Sequence, residues 1–135
     1  MENVKVNFYS SFAQDGLNEE IKYNVDGLLD KTNYCNILHY DEYNAEDKSN
    51  TKVVVKFNKE EVIICRDGNI FQELNFCRTK QSYGTYEISG FNIKLSILLK
   101  EFEVSNNHIK LSYDLFVETH PSGSFNIDIK LGESI

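Results

Sequence analysis

Apolar and polar residues alternate with a period of two along almost the whole chain, and turn-forming residues fall between the alternating runs. The first run sets Val4, Val6, Phe8 and Phe12 on one face and ends at Asp15-Gly16, a dipeptide suited to the positive φ angles of a type I′ hairpin turn. Ile21, Tyr23 and Val25 share a face in the next run, which stops at Asp26-Gly27. A third run, from about residue 32 to 42, is rich in Tyr, and the polar stretch 44–50 is the longest loop candidate. Two strongly apolar strands follow, Val53-Val54-Val55-Lys56-Phe57 and Val62-Ile63-Ile64-Cys65, joined by a short loop at 58–61. Both are apolar on both faces, so a cover over their outer side is expected. Asp67-Gly68 then leads into a strand at about 70–76, and another at about 81–88 turns at Ser89-Gly90.

The longest run begins at Phe91. Phe91, Ile93, Leu95, Ile97 and Leu99 share one face, and then Phe102 and Val104 take over. A one-residue slip swaps the two faces of a strand, so a β-bulge or bend is predicted near residues 98–101. Asn106-Asn107 turns the chain, and Ile109, Leu111, Tyr113, Leu115 and Val117 face inward on the cleanest alternation of all. His120-Pro121-Ser122-Gly123 makes the last turn before Phe125, Ile127, Ile129 and Leu131. About ten strands joined by short connections imply antiparallel neighbours. No segment has a convincing amphipathic helical pattern. The fold class is all-β, and such a meander either stacks as a sandwich or closes as a barrel.

The length, 135 residues, fits one domain covering 1–135. Eight Tyr, nine Phe and one Pro suit pleated strands. The net charge of −7 is uneven: residues 1–50 carry ten acids against four bases. Neutralising phosphates needs clustered Lys and Arg, and none occurs, so neither nucleic acid nor an anionic membrane is an expected partner. Three cysteines at long spacing, Cys35, Cys65 and Cys77, without a CxxC argue against a disulfide framework and against zinc. Nothing in the chain reads as a signal peptide or an apolar run of 18 residues. A reducing cytoplasm is the expected compartment.

The order and spacing of several pieces are similar to the YwiB-like family of uncharacterised bacterial proteins. These pieces are Leu38-His39-Tyr40-Asp41-Glu42, Thr51-Lys52-Val53-Val54-Val55-Lys56-Phe57 and Glu61-Val62-Ile63-Ile64-Cys65-Arg66-Asp67-Gly68. Tyr83-Gly84-Thr85-Tyr86, Lys100-Glu101-Phe102-Glu103-Val104 and Leu111-Ser112-Tyr113-Asp114-Leu115 complete the series. The likeness covers most of the chain from about residue 25. It implies a calycin-like (lipocalin-like) antiparallel β-barrel of about eight to ten strands with little or no helix, and so turns the choice from sandwich to barrel. The chain departs from the family's Tyr-x-Thr-x-Tyr-Gly pattern, because Tyr83-x-Thr85 is followed by Tyr86-Glu87-Ile88-Ser89-Gly90.

A small barrel either fills with side chains or leaves room for one small ligand. Tyr40, Glu42, Arg66, Tyr83, Thr85 and Tyr113 are polar or amphipathic residues on strands that otherwise supply core, and they form the candidate ligand-binding set. Arg66 is one of two arginines, and its planar fork suits a carboxylate or phosphate. The competing reading is an Arg66–Glu42 ion pair capped by Tyr hydroxyls. His39 and Asp41 share a face, but no third ligand accompanies them, so no metal is expected. The cysteines read as small buried hydrophobes. No Gly-x-Ser-x-Gly elbow, Walker loop or dinucleotide fingerprint occurs, and no catalytic residue or cofactor is assigned. An enzyme has nothing behind it beyond that polar set, and two other functional readings stand. One is a module binding a small, partly apolar or anionic molecule inside the barrel. The other is a structural or interaction protein acting as a homodimer or binding a basic partner, with no ligand.

Overall fold

A computed structural model describes residues 1–133 as ten antiparallel strands without a helix. They are β1 (Glu2–Gln14), β2 (Leu17–Lys31), β3 (Asn36–Asn44), β4 (Ser49–Phe57), β5 (Glu61–Asp67), β6 (Phe71–Cys77), β7 (Ser82–Ile88), β8 (Phe91–Val104), β9 (His108–Val117) and β10 (His120–Glu133). Each strand pairs with the next, and β1 pairs with β10 from Val4↔Glu133 to Ala13↔Ser124, which closes the sheet into a barrel. The alternation dictated strands, and the β1–β10 pairing makes them a barrel rather than a sandwich. No helix among the described residues is long and apolar enough to cross a membrane.

The strands fall into two groups. β1, β2, β8, β9 and β10 have 10 to 15 residues, whereas β3 to β7 have seven to nine. Turns at 15–16, 45–48, 68–70, 89–90 and 118–119 gather at one end, here called upper, and the other turns at the lower end. The lower half is filled. Val6, Leu38, Val55, Phe57, Phe76 and Ile129 are almost completely buried there, and each contributes about 1.5–3 kcal/mol by leaving water.

Several local expectations hold. Asp15 and Gly16 have φ of 48° and 83°, as a type I′ turn requires, and Gln14 pairs with Leu17 around them. The phase slip in β8 is a bulge between Leu99 and Glu101. The shift keeps both Leu99 and Phe102 packed on the core.

Others need correction. Asp26-Gly27 does not turn the chain, and β2 continues to Lys31. A Cβ on Gly27 would stand 2.9 Å from Val6 Cγ2 and 3.1 Å from the His39 carbonyl oxygen. This glycine therefore serves a close approach between strands. The third run begins later than expected, at Asn36, because the Thr32 hydroxyl accepts from the Cys35 amide at 3.1 Å and ties 32–35 into a turn. Pro121 lies inside β10 beside a bulge, and the turn falls at 118–119, where Glu118 has φ of 58°. No second layer covers the outer face of β4 and β5 among the described residues. Val54, Ile63 and Cys65 stay half-buried there, with Val54 opposite Cys65 in the sheet.

Candidate functional site

Partners in antiparallel register share a face, so the register shows which side chains meet inside. Tyr40 on β3 lies opposite Val53 on β4, Val53 opposite Arg66 on β5, Arg66 opposite Gln72 on β6, and Gln72 opposite Tyr86 on β7. These five form one row across the inner wall, just above the filled half. Phe8 on β1 stacks on Tyr23 of β2 with ring centroids 4.7 Å apart. The Arg66 guanidinium carbon lies 5.5 Å from the Phe8 ring centroid, within cation–π range.

The polar contacts form a chain. Tyr23 donates its hydroxyl proton to Glu42 Oε1 at 2.8 Å. Having one proton, it must then accept from the Tyr40 hydroxyl at 3.0 Å. Arg66 Nη2 reaches the same Glu42 oxygen at 3.1 Å. Burial, reinforced by the neighbouring Tyr40 and Glu42, raises the pKa of Tyr23 far above that of a free phenol. Burial also pushes Tyr40 up to about 12 and raises Tyr86 and Tyr113. All four hydroxyls therefore stay protonated at neutral pH and can donate.

Space remains around this row. A cavity of about 330 Å³ lies between Phe8, Phe12, Arg66, Tyr86, Tyr113 and Phe125. A wider groove of about 750 Å³ runs beside it between β2 and β3, with Arg66, Gln72 and Tyr86 in both walls. No buried side-chain nitrogen or oxygen lacks a partner among the described residues. The guanidinium donors not held by Glu42 therefore open onto accessible space, as do the hydroxyls of Tyr86 and Tyr113. Exposed apolar residues crown this upper end, among them Ile21, Tyr43, Ile70, Ile88 and Phe91.

Of the candidate set, the structure brings Tyr40, Glu42, Arg66 and Tyr113 to this interior. It does not bring Tyr83 and Thr85, which face outward on β7. Tyr83 is 54% exposed, and Thr85 lies opposite Glu73 on the outer face. Ser82 and Gly84 fix that phase. The Ser82 hydroxyl, buried, accepts from the Cys77 amide at 2.9 Å, and a Cβ on Gly84 would stand 2.7 Å from Leu74 Cδ2. Tyr86 is the inward aromatic of β7. Sequence reasoning missed it because the small residues preceding it on its face hide the alternation. Tyr23 carried a signal, since it shares its face with Ile21 and Val25 and so had to meet the interior. Cys65 sits outside with its thiol 3.4 Å from Glu73 Oε1. Burial first and that carboxylate second push its pKa up to about 11, the opposite of an activated nucleophile.

Among protein families, residues 6–129 match the domain of unknown function DUF1934. Among solved structures, the chain resembles the crystal structure of the ywiB protein from Bacillus subtilis. The TM-score is 0.81 at 20% sequence identity, over 99% of this chain and 93% of that one. At that identity the likeness shows the fold alone. No curated protein matches.

Proposed function

This chain belongs to the DUF1934 family, and on that premise we propose that its barrel is a binding module for a small, partly apolar molecule with an anionic head. The head would sit on Arg66 and the apolar part against the aromatic wall of the upper half. One observation carries the reading: a guanidinium inside the barrel has a single carboxylate partner among the described residues, and its other donors open onto a cavity walled by Phe8, Phe12 and Phe125. Pockets for small molecules combine an apolar lining with a few placed polar groups. Glu42 holds the guanidinium in place and offsets part of its charge. The Tyr86 and Tyr113 hydroxyls add neutral donors.

Titration calorimetry with decanoate tests the reading, with decanol and decyltrimethylammonium as the neutral and cationic counterparts. Decanoate is expected to bind best of the three. A charge-assisted hydrogen bond contributes about 1.5–3 kcal/mol, so Arg66→Met should weaken binding by roughly 10- to 100-fold. Equal binding of all three amphiphiles, or an unchanged affinity in the variant, would refute the role of Arg66. Native mass spectrometry of the protein as purified from cells should show a retained mass that is lost in the same variant.

A further inference from the structure

We propose that the seam between β2 and β3 takes up an extended peptide of alternating basic and apolar residues as an added strand. The site is a length of strand edge that the closed barrel leaves bare. β2 pairs with β3 only through Leu28, Leu29, Asp30 and Lys31. Above them, residues 17–27 of β2 have a partner in β1 but, among the described residues, none on the other side. Residues 40–44 of β3 likewise pair with β4 alone. The two strands splay apart, and the 750 Å³ groove lies between them.

The hairpin turn decides which amides are bare. A two-residue turn makes Gln14 and Leu17 a hydrogen-bonded pair, so Leu17, Glu19, Ile21, Tyr23 and Val25 direct their backbone groups to β1. Asn18, Glu20, Lys22, Asn24 and Asp26 direct theirs into the seam. Five amides and five carbonyls in one row are a template for a strand. A small molecule cannot match their repeat.

Charge selects the occupant. Outward side chains beside the seam include Glu20 on β2, Asp26, which pairs with Lys5 of β1, and Asp41 on β3 opposite Lys52 of β4, while Ile21, Tyr23 and Val25 face the groove. Lys22 is the one base among the bare residues of β2. A second copy docking edge to edge with residue 20 opposite residue 26 would set Glu20 against Asp26, and like charges facing each other across strands destabilise a pair. A basic strand meets the opposite sign. Register partners share a face, so its basic side chains lie outward opposite Glu20 and Asp26, and its apolar ones cover Ile21 and Val25. This inference stands apart from the cavity reading, because it rests on backbone in the barrel wall and not on Arg66.

The test uses the intact protein and a capped heptapeptide of alternating lysine and valine. Nuclear magnetic resonance should show slowed amide exchange at Asn18, Glu20, Lys22, Asn24 and Asp26, and little change at Glu19, Ile21 and Tyr23. The hydrogen-bonded peptide residues are the outward lysines. N-methylation at the lysines should therefore weaken binding at least 10-fold, whereas N-methylation at the valines should leave it within about 3-fold. The double variant Glu20→Lys/Asp26→Lys should also bind at least 10-fold more weakly, and a glutamate–valine peptide should not bind. Absence of lysine–valine binding at millimolar concentration overturns the proposal. Equal loss from both methylation patterns overturns it too, and so does uniform protection along β2.

Discussion

Replacing Tyr23 by Phe removes one oxygen from the centre of the polar chain and leaves the ring stack on Phe8 intact. The oxygen has two partners: it donates to the Glu42 carboxylate at 2.8 Å and lies 3.0 Å from the Tyr40 hydroxyl. A hydrogen bond to a charged acceptor contributes about 1.5–3 kcal/mol. Glu42 keeps Arg66 as a partner and its side chain is 23% exposed, so the lower part of that range applies. Tyr40 is 5% exposed, and its hydroxyl would lose its one partner among the described residues, which costs about 1 kcal/mol more. The expected total is roughly 2–3 kcal/mol. Unfolding entropy of about 2.1 cal/mol/K per residue gives roughly 3.5 °C per kcal/mol for a chain of this length. The melting temperature should therefore fall by about 7–10 °C. Urea denaturation should show a lower midpoint at unchanged slope. A double-mutant cycle with Tyr40→Phe should give a coupling of at least about 0.5 kcal/mol. A loss below about 0.5 kcal/mol in the single variant, with no coupling, would show that the hydroxyl chain contributes nothing to the fold.

Alkaline titration should destabilise the barrel. Tyr40 has its folded pKa raised from 10.0 to about 12, so its contribution is complete below pH 10 and is lost as pH rises through 12. Two units correspond to about 2.7 kcal/mol, readable as a falling urea midpoint over that window. Gly84→Ala should cost about 1–3 kcal/mol by overpacking, since the new Cβ would stand 2.9 Å from the Glu73 carbonyl oxygen as well as against Leu74. A neutral result in a thermal melt would mean that β6 and β7 separate more easily than their register suggests. Tyr83→Ser, on the outer wall, should alter stability by no more than about 0.5 kcal/mol and leave decanoate affinity unchanged. Iodoacetamide at pH 8 should label Cys65 slowly, because a thiol with its pKa at about 11 is ionised in roughly one molecule in a thousand there.

Strand alternation was legible wherever large residues shared a face, as on β1 and β9. It failed where small or polar residues faced inward. Ser82 and Gly84 carry no apolar signal on the inner face of β7, so the sequence puts Tyr83 and Thr85 in the candidate ligand-binding set and leaves out Tyr86. Gly27 has the form of a turn residue, but only the packing of Val6 and His39 against it shows that it permits close approach. Arg66 and Glu42 were legible as a pair because they lie on strands that otherwise supply core. Their link to Tyr23 was not, because it crosses a seam where β2 and β3 have parted and no local pattern reports on a splay.

Among the described residues, nine of the ten strand pairings join sequence neighbours and can form locally. The tenth, β1 with β10, brings together residues more than a hundred positions apart, as in Val4↔Glu133 and Phe8↔Ile129. Closing a loop of that length costs about 4 kcal/mol in chain entropy before its contacts form. Folding should therefore proceed through a meander that gathers quickly and joins its ends late, at the slow rates of β proteins of high contact order. Until the ends meet, the chain is a sheet with two bare edges, Val4 to Phe8 on one and Ile127 to Leu131 on the other. Substitutions along that junction should act first on the lifetime of the unclosed sheet, and through it on aggregation during synthesis.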